Sequence, residues 1–137
     1  MAAHNVYDIG SKVKMARSAA PIGAAGAVNG AAIDRQGFGS CVLFLNTGAA
    51  TGTPATQAAD AKLQESADGS TGWTDIANAA VTQIVADNGS AYVDVNLRTI
   101  KRYVRVVQTI ALTGGTTPAW PVASNVVLGG ADVLPTL

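Results

Sequence analysis

The sequence predicts an all-β protein: an antiparallel, jelly-roll-like β-sandwich with an extended N-terminal arm. Three observations lead there. Short runs of alternating polar and apolar residues recur every ~8–12 residues with turn residues between them, the spacing of a sandwich or barrel. No stretch of helical length repeats apolar residues at i, i+3 and i+4 between caps. Finally, Asp68-Gly69 and Asn88-Gly89 place residues that tolerate positive φ where the chain must reverse.

Residues 1–29 differ from the rest. Lys12, Lys14 and Arg17 bring three positive charges together, and residues 18–30 are rich in glycine and alanine. Glycine at that density weakens helix and strand alike, and Pro21 removes a backbone donor. The segment reads as an extended arm held on a partner's surface rather than on its own domain; a disordered tail is the other reading of such a composition. Gly23, Gly26 and Gly30 do not have the spacing of a phosphate-binding loop.

Residues 30–130 form the predicted sandwich domain. A short strand at 31–34 turns at 35–37 into the most apolar strand, 40–45. Its continuous apolar character predicts a central position covered on both faces. Residues 46–57 read as a loop. A hairpin follows, with strands around Lys62-Leu63-Gln64 and from Trp73 to Ile76, and Trp73 is expected in the core. Residues 81–85 read as a strand leading through the Asn88-Gly89 turn into another at 91–95. The long strand 102–110 turns Val104, Val106 and Ile110 one way and Tyr103, Arg105, Val107 and Thr109 the other. After a loop at 114–121, residues 122–128 close the sandwich, and 131–137 form a C-terminal tail.

At 137 residues the chain is one domain, long enough to bury its own core. Charged residues make up 13% of it, about half the ~25% of an ordinary soluble domain. That suggests a surface covered in the working state, against the plainer reading of an Ala/Gly/Thr-rich β protein. Nine basic and nine acidic residues give zero formal net charge. Such a balance argues against nucleic-acid binding, which needs a basic face, and against electrostatic attachment to a membrane. No segment reaches the ~18 apolar residues of a membrane span, and the N-terminus lacks a basic-then-apolar leader. The expectation is a protein made in a host cytoplasm. Cys41, the one cysteine, has no internal disulfide partner and reads as a small core hydrophobe.

Chemistry is scarce. His4, the one histidine, lies near the chain start, a poor place from which to build a nucleophile–base pair. One histidine and one cysteine cannot make a zinc site. Asp68 and Asp75 flank a turn without calcium-loop spacing. The expectation is a non-enzyme with no metal and no cofactor. Glu65 shares a face with Leu63 by alternation, so a partner is expected from Arg102 or Arg105. Trp120, between Pro118 and Pro121, is either a contact residue or a plug over the sandwich end. The candidate partner contacts are Lys12, Lys14 and Arg17 with Trp120.

The run Lys62-Leu63-Gln64-Glu65-Ser66-Ala67-Asp68-Gly69-Ser70-Thr71-Gly72-Trp73-Thr74-Asp75 resembles the "LQES-DGS-W-D" segment of small structural proteins of tailed phages and prophages. Arg102-Tyr103-Val104-Arg105-Val106 is similar to their "RYVRV" strand, and Val126-Val127-Leu128-Gly129-Gly130 to their C-terminal end. The resemblance covers residues 30–130 and is least in the arm and the 113–121 loop. It implies a virion component of the head-decoration, or cement, type on the capsid exterior. The implied partners are the major capsid protein and the chain itself, in trimers at local threefold axes. Other virion roles in tail, head–tail joint or head spike, and a carbohydrate-binding adhesion module, are the rival readings.

Overall fold

Strands with one apolar face bury it by stacking sheet on sheet. The computed structural model describes residues 8–133 and has this architecture. After one turn of 3-10 helix, Ile9–Ser11, the strands run β1 (Lys14–Ala16), β2 (Gly26–Asn29), β3 (Ile33–Asp34), β4 (Phe38–Thr47), β5 (Thr56–Ser66), β6 (Thr74–Ala80), β7 (Ser90–Asn96), β8 (Tyr103–Thr113) and β9 (Val122–Ala131). One sheet has the order β1-β9-β4-β7. The other has the order β2-β8-β5-β6, with β3 also on β8. Among the described residues these strands all pair antiparallel. This is the predicted antiparallel sandwich.

The core lies between the sheets. Leu43, Leu45, Leu63, Val104, Val106, Val126 and Leu128 are fully buried there. Along β8 the inward positions are Val104, Val106 and Ile110, as alternation requires, and Gln108 shares their face. Its Oε1 accepts from Ser124 Oγ at 2.7 Å, and its Nε2 donates to the Val122 carbonyl at 3.3 Å. A buried amide is tolerable when its groups find partners; here both lie on β9, so the amide ties the two sheets together.

Three sequence expectations need correction. β4 is central, between β9 and β7, but only one of its faces is covered: Phe44 is 39% exposed on the other. Residues 81–85 are not a regular strand. Val81 and Ile84 are buried, and a single bridge, Ala59 to Ile84, holds the segment to β5. Asn88 does adopt a positive φ, 55°, yet its turn carries the chain across to the other sheet instead of closing a hairpin, because β7 pairs with β4.

The segment after Asp8 is extended, but it lies on its own domain. β1 pairs with β9, Ile22 bridges Val122, and β2 pairs with β8. Between β2 and β3 the chain swings away from β8, and buried Ser18 fills the gap. Its Oγ accepts from Val106 N at 2.9 Å and donates to the Ala31 carbonyl at 2.6 Å. Gly30 makes this possible: a Cβ there would collide with Ser18 Oγ and lie 2.6 Å from the Ser18 carbonyl carbon.

Candidate interaction surface

The four residues predicted to touch a partner are not brought together. Lys14 pairs with Leu128 near one end of β9, and Trp120 sits just before its other end. Lys12 is half-buried, with its ammonium 3.5 Å from Ser11 Oγ, while Lys14 and Arg17 are exposed. Asp34 has its carboxyl held below the usual range, chiefly by hydrogen bonds from Arg102 and to a lesser degree by the nearby charge of Lys14. Trp120 is fully buried, which corrects its place among the contacts: it is the plug. Its Nε1 donates to the Gly48 carbonyl at 2.8 Å and its N–H to the Gly23 carbonyl at 2.7 Å. A loop tryptophan between prolines is thus consumed in tying three segments together. His4 lies outside the described residues.

The outer face of the β2-β8-β5-β6 sheet satisfies itself. Arg105 donates twice to Gln64 Oε1, at 3.0 and 2.8 Å. Gln64 Nε2 and Lys62 Nζ each reach Asp75 at 2.8 Å. Those bonds, from Lys62 first and Gln64 second, hold the Asp75 carboxyl below its ordinary range. Trp73 is on this surface rather than in the core, its ring 4.5 Å beneath the Arg105 guanidinium. Glu65 does not pair with either expected arginine. It accepts the Lys101 N–H at 2.8 Å, while Arg102 pairs with Asp34 and Arg105 with Gln64. A carboxylate beside a strand end finds a backbone donor as readily as a guanidinium, and residue spacing cannot distinguish the two.

The outer face of the β1-β9-β4-β7 sheet is different. Register places Met15, Val127 and Val42 in one row across β1, β9 and β4. The next row holds Phe44 beside Tyr92 of β7, with ring centroids 5.9 Å apart. Met15 is 67% and Tyr92 65% exposed. On β4, β7 and β9, alternation assigns this face a single charged side chain, Asp94. Val42's row ends on β7 at Asp94 and Phe44's passes Asn125 on β9, so the apolar side chains form a diagonal stripe across four strands; exposed stripes of this kind often mark contact surfaces. The continuous apolar run of β4, read as covered on both faces, hid it.

One end of the sandwich is also nearly free of charge. The loops after β4 and β8 are joined through Thr51 N to the Ala119 carbonyl at 2.7 Å and Thr116 N to the Gly52 carbonyl at 2.9 Å. Gly52, at φ 76°, is needed where a Cβ would meet Pro118 Cα at 2.8 Å. Beside these loops Pro21, Ile22, Pro121 and Val122 line an apolar groove of about 370 Å³. Among the described residues no group of three or more His, Cys, Asp or Glu could hold a metal ion.

The fold and these faces define an antiparallel jelly-roll-like sandwich with one outer surface of paired polar groups and one crossed by an apolar stripe. No family model and no curated protein matches the chain. Among solved structures, the infectious bursal disease virus VP2 subviral particle is similar with a TM-score of 0.50 and 11% identity, over 88% of this chain and 33% of that one. The YomS protein derived from the SPBc2 prophage gives 0.46 and 12%, over 85% and 93%. The capsid structure of Helicobacter pylori bacteriophage KHP30 gives 0.42 and 12%, over 89% and 95%. At such identities the likeness is one of fold.

Proposed function

We propose that the protein is a phage virion component of the head-decoration type, docking its apolar sheet face on the outside of the capsid lattice and bridging neighbouring capsomers. The observation that carries this reading is the division of the two outer faces. One has its polar groups paired with each other; the other presents Met15, Val42, Phe44, Tyr92 and Val127 with Asp94 as the only charge among β4, β7 and β9. The sequence resemblance to phage structural proteins supports the same reading. Burial of an interface of ~800 Å² per partner, repeated over a symmetric shell, adds a cost to separating the capsomers. No catalytic group is needed for that work.

The test is stoichiometric. Purified protein is added to capsids lacking it, and bound copies are counted by quantitative gel densitometry. Saturation at hundreds of copies supports decoration. Saturation at about a dozen or fewer, as for a component placed once per shell, moves the reading to a joining or spike component, and no binding removes the capsid role.

A further inference from the structure

Open sheet edges recruit other strands, and folds guard them. The edges of this sandwich are unequally guarded. β1 has three residues, with Lys14 on the side that faces inward. On the same flank, β2 and β3 are four and two residues long. β6 is broken by a register shift opposite Lys62 and Gln64 and has Asn78 at φ 57°. Among the described residues, β7 is the exception. Its seven residues run in unbroken register with β4, with no bulge, proline or lysine. The bonds Thr47 N to Gly89 O and Leu97 N to Gly39 O, at its two ends, fix the alternation. Odd-numbered residues bond to β4, so the N–H and C=O groups of Ser90, Tyr92, Asp94 and Asn96 point away from the sheet.

We propose that β7 is a self-pairing edge: two copies of this chain join β7 to β7, antiparallel, about a twofold axis at Val93. A second copy is the occupant because the strand is self-complementary, as a twofold contact requires. In this register all seven residues pair. Ser90 meets Asn96, Ala91 meets Val95, and Tyr92 meets Asp94, phenol beside carboxylate. Sliding the register by two, so that Asp94 faces itself, sets like charges directly opposite. The neighbouring edge does not stand in the way, since β6 presents only Ala77, Asn78 and Ala80 as exposed side chains beyond Ile76. The result is an eight-stranded sheet in which the Phe44–Tyr92 stripes of both copies become continuous. This contact is twofold, unlike the threefold association that the resemblance implies, and it does not depend on the virion reading.

The test uses the full chain in sedimentation velocity over a wide concentration range. Wild type is expected to show a monomer–dimer equilibrium, with the Tyr92 and Asp94 amides gaining hydrogen-exchange protection as concentration rises. Tyr92→Lys and Tyr92→Asp both remove the exposed ring. Lysine, however, lies opposite Asp94 of the second copy, while aspartate opposes it with a like charge. With two such pairs per dimer, Tyr92→Lys should dimerise about tenfold more tightly than Tyr92→Asp. A wild type that is monomeric at every concentration overturns the proposal. So does equal dimerisation of the two variants with their melting temperatures matched, which would place the contact elsewhere.

Discussion

Replacing Ser18 with alanine examines how the N-terminal segment is bound to the sandwich. The side chain is 7% exposed and its hydroxyl is the partner of Val106 N, on a residue that is fully buried. Without it, that N–H has no acceptor, and the gap between β2 and β3 leaves no strand to replace it. An orphaned buried donor costs about 1–3 kcal/mol. The Ala31 carbonyl also loses its donor, but Ala31 is exposed and water can replace the bond. The expected loss is therefore about 2–3 kcal/mol in all. For a domain of 137 residues, each kcal/mol is roughly 3–4 °C of Tm, so the melting point should fall by about 6–12 °C. Calorimetry reads the shift, and amide exchange at Val106 reads its origin. Ser70→Ala, on an exposed turn, is the control and should move stability by less than about 0.5 kcal/mol. A shift under about 2 °C for Ser18→Ala, with Val106 still protected, would refute the reasoning.

Further outcomes follow from the same structure. Gly30→Ala should lower Tm at least as much as Ser18→Ala, since the added Cβ meets Ser18 backbone that cannot withdraw; a melt unchanged from wild type contradicts this. Trp120→Ala should cost about 3–5 kcal/mol in chemical denaturation, as for other fully buried aromatics; a loss below ~1 kcal/mol would mean that the plug is dispensable. Asp68 accepts from Ser70 N, Thr71 N, Thr71 Oγ1 and Ser66 Oγ, and the two backbone bonds are the main reason its carboxyl is held far below the ordinary range. A folded pKa below the unfolded one contributes stability above about pH 4, lost as pH falls through the folded value. An NMR titration should accordingly show Asp68 still ionised where ordinary aspartates have titrated, and an ordinary midpoint contradicts it. Burial, with a smaller effect from Asp94, pushes the Cys41 thiol up to about 12. A thiol-specific disulfide reagent should therefore leave the native protein unmodified and label it only on unfolding.

Much of the sandwich was legible because one force dominates in its long strands. β5 and β8 alternate, and alternation reports the side that faces the core, while β4 was legible as a strand from its continuous apolar run. What was not legible depends on contacts distant in sequence. Residues 81–85 have strand composition, yet they meet β5 at one bridge and then cross between sheets, which no local pattern encodes. The two tryptophans were misjudged for the same reason: Trp73 was expected in the core, and Trp120, open between contact and plug, was counted among the contacts. Trp73 follows a turn at the start of β6, where Arg105 from β8 holds it on the surface; Trp120 is drawn inward by carbonyls of Gly23 and Gly48. The extended character of residues 14–29 was readable from glycine and proline, but its place on β9 and β8 rests on Ser18 and Ile22 finding partners far along the chain. The apolar face was half-visible: Val42 and Phe44 were seen as apolar, and only the strand order shows that nothing in the described chain covers them.

The central claim is that this apolar face holds the protein to a capsid. The most direct measurement is the temperature of DNA release from capsids saturated with wild type, with Met15→Lys/Val127→Lys, or with Thr109→Lys. The first variant places charge in the apolar stripe, away from β7; the second places it on the opposite outer face. The account predicts that wild type and Thr109→Lys raise the release temperature alike, while the double variant fails to bind and leaves capsids as fragile as bare ones. Equal protection by all three proteins, or loss only with Thr109→Lys, would contradict it.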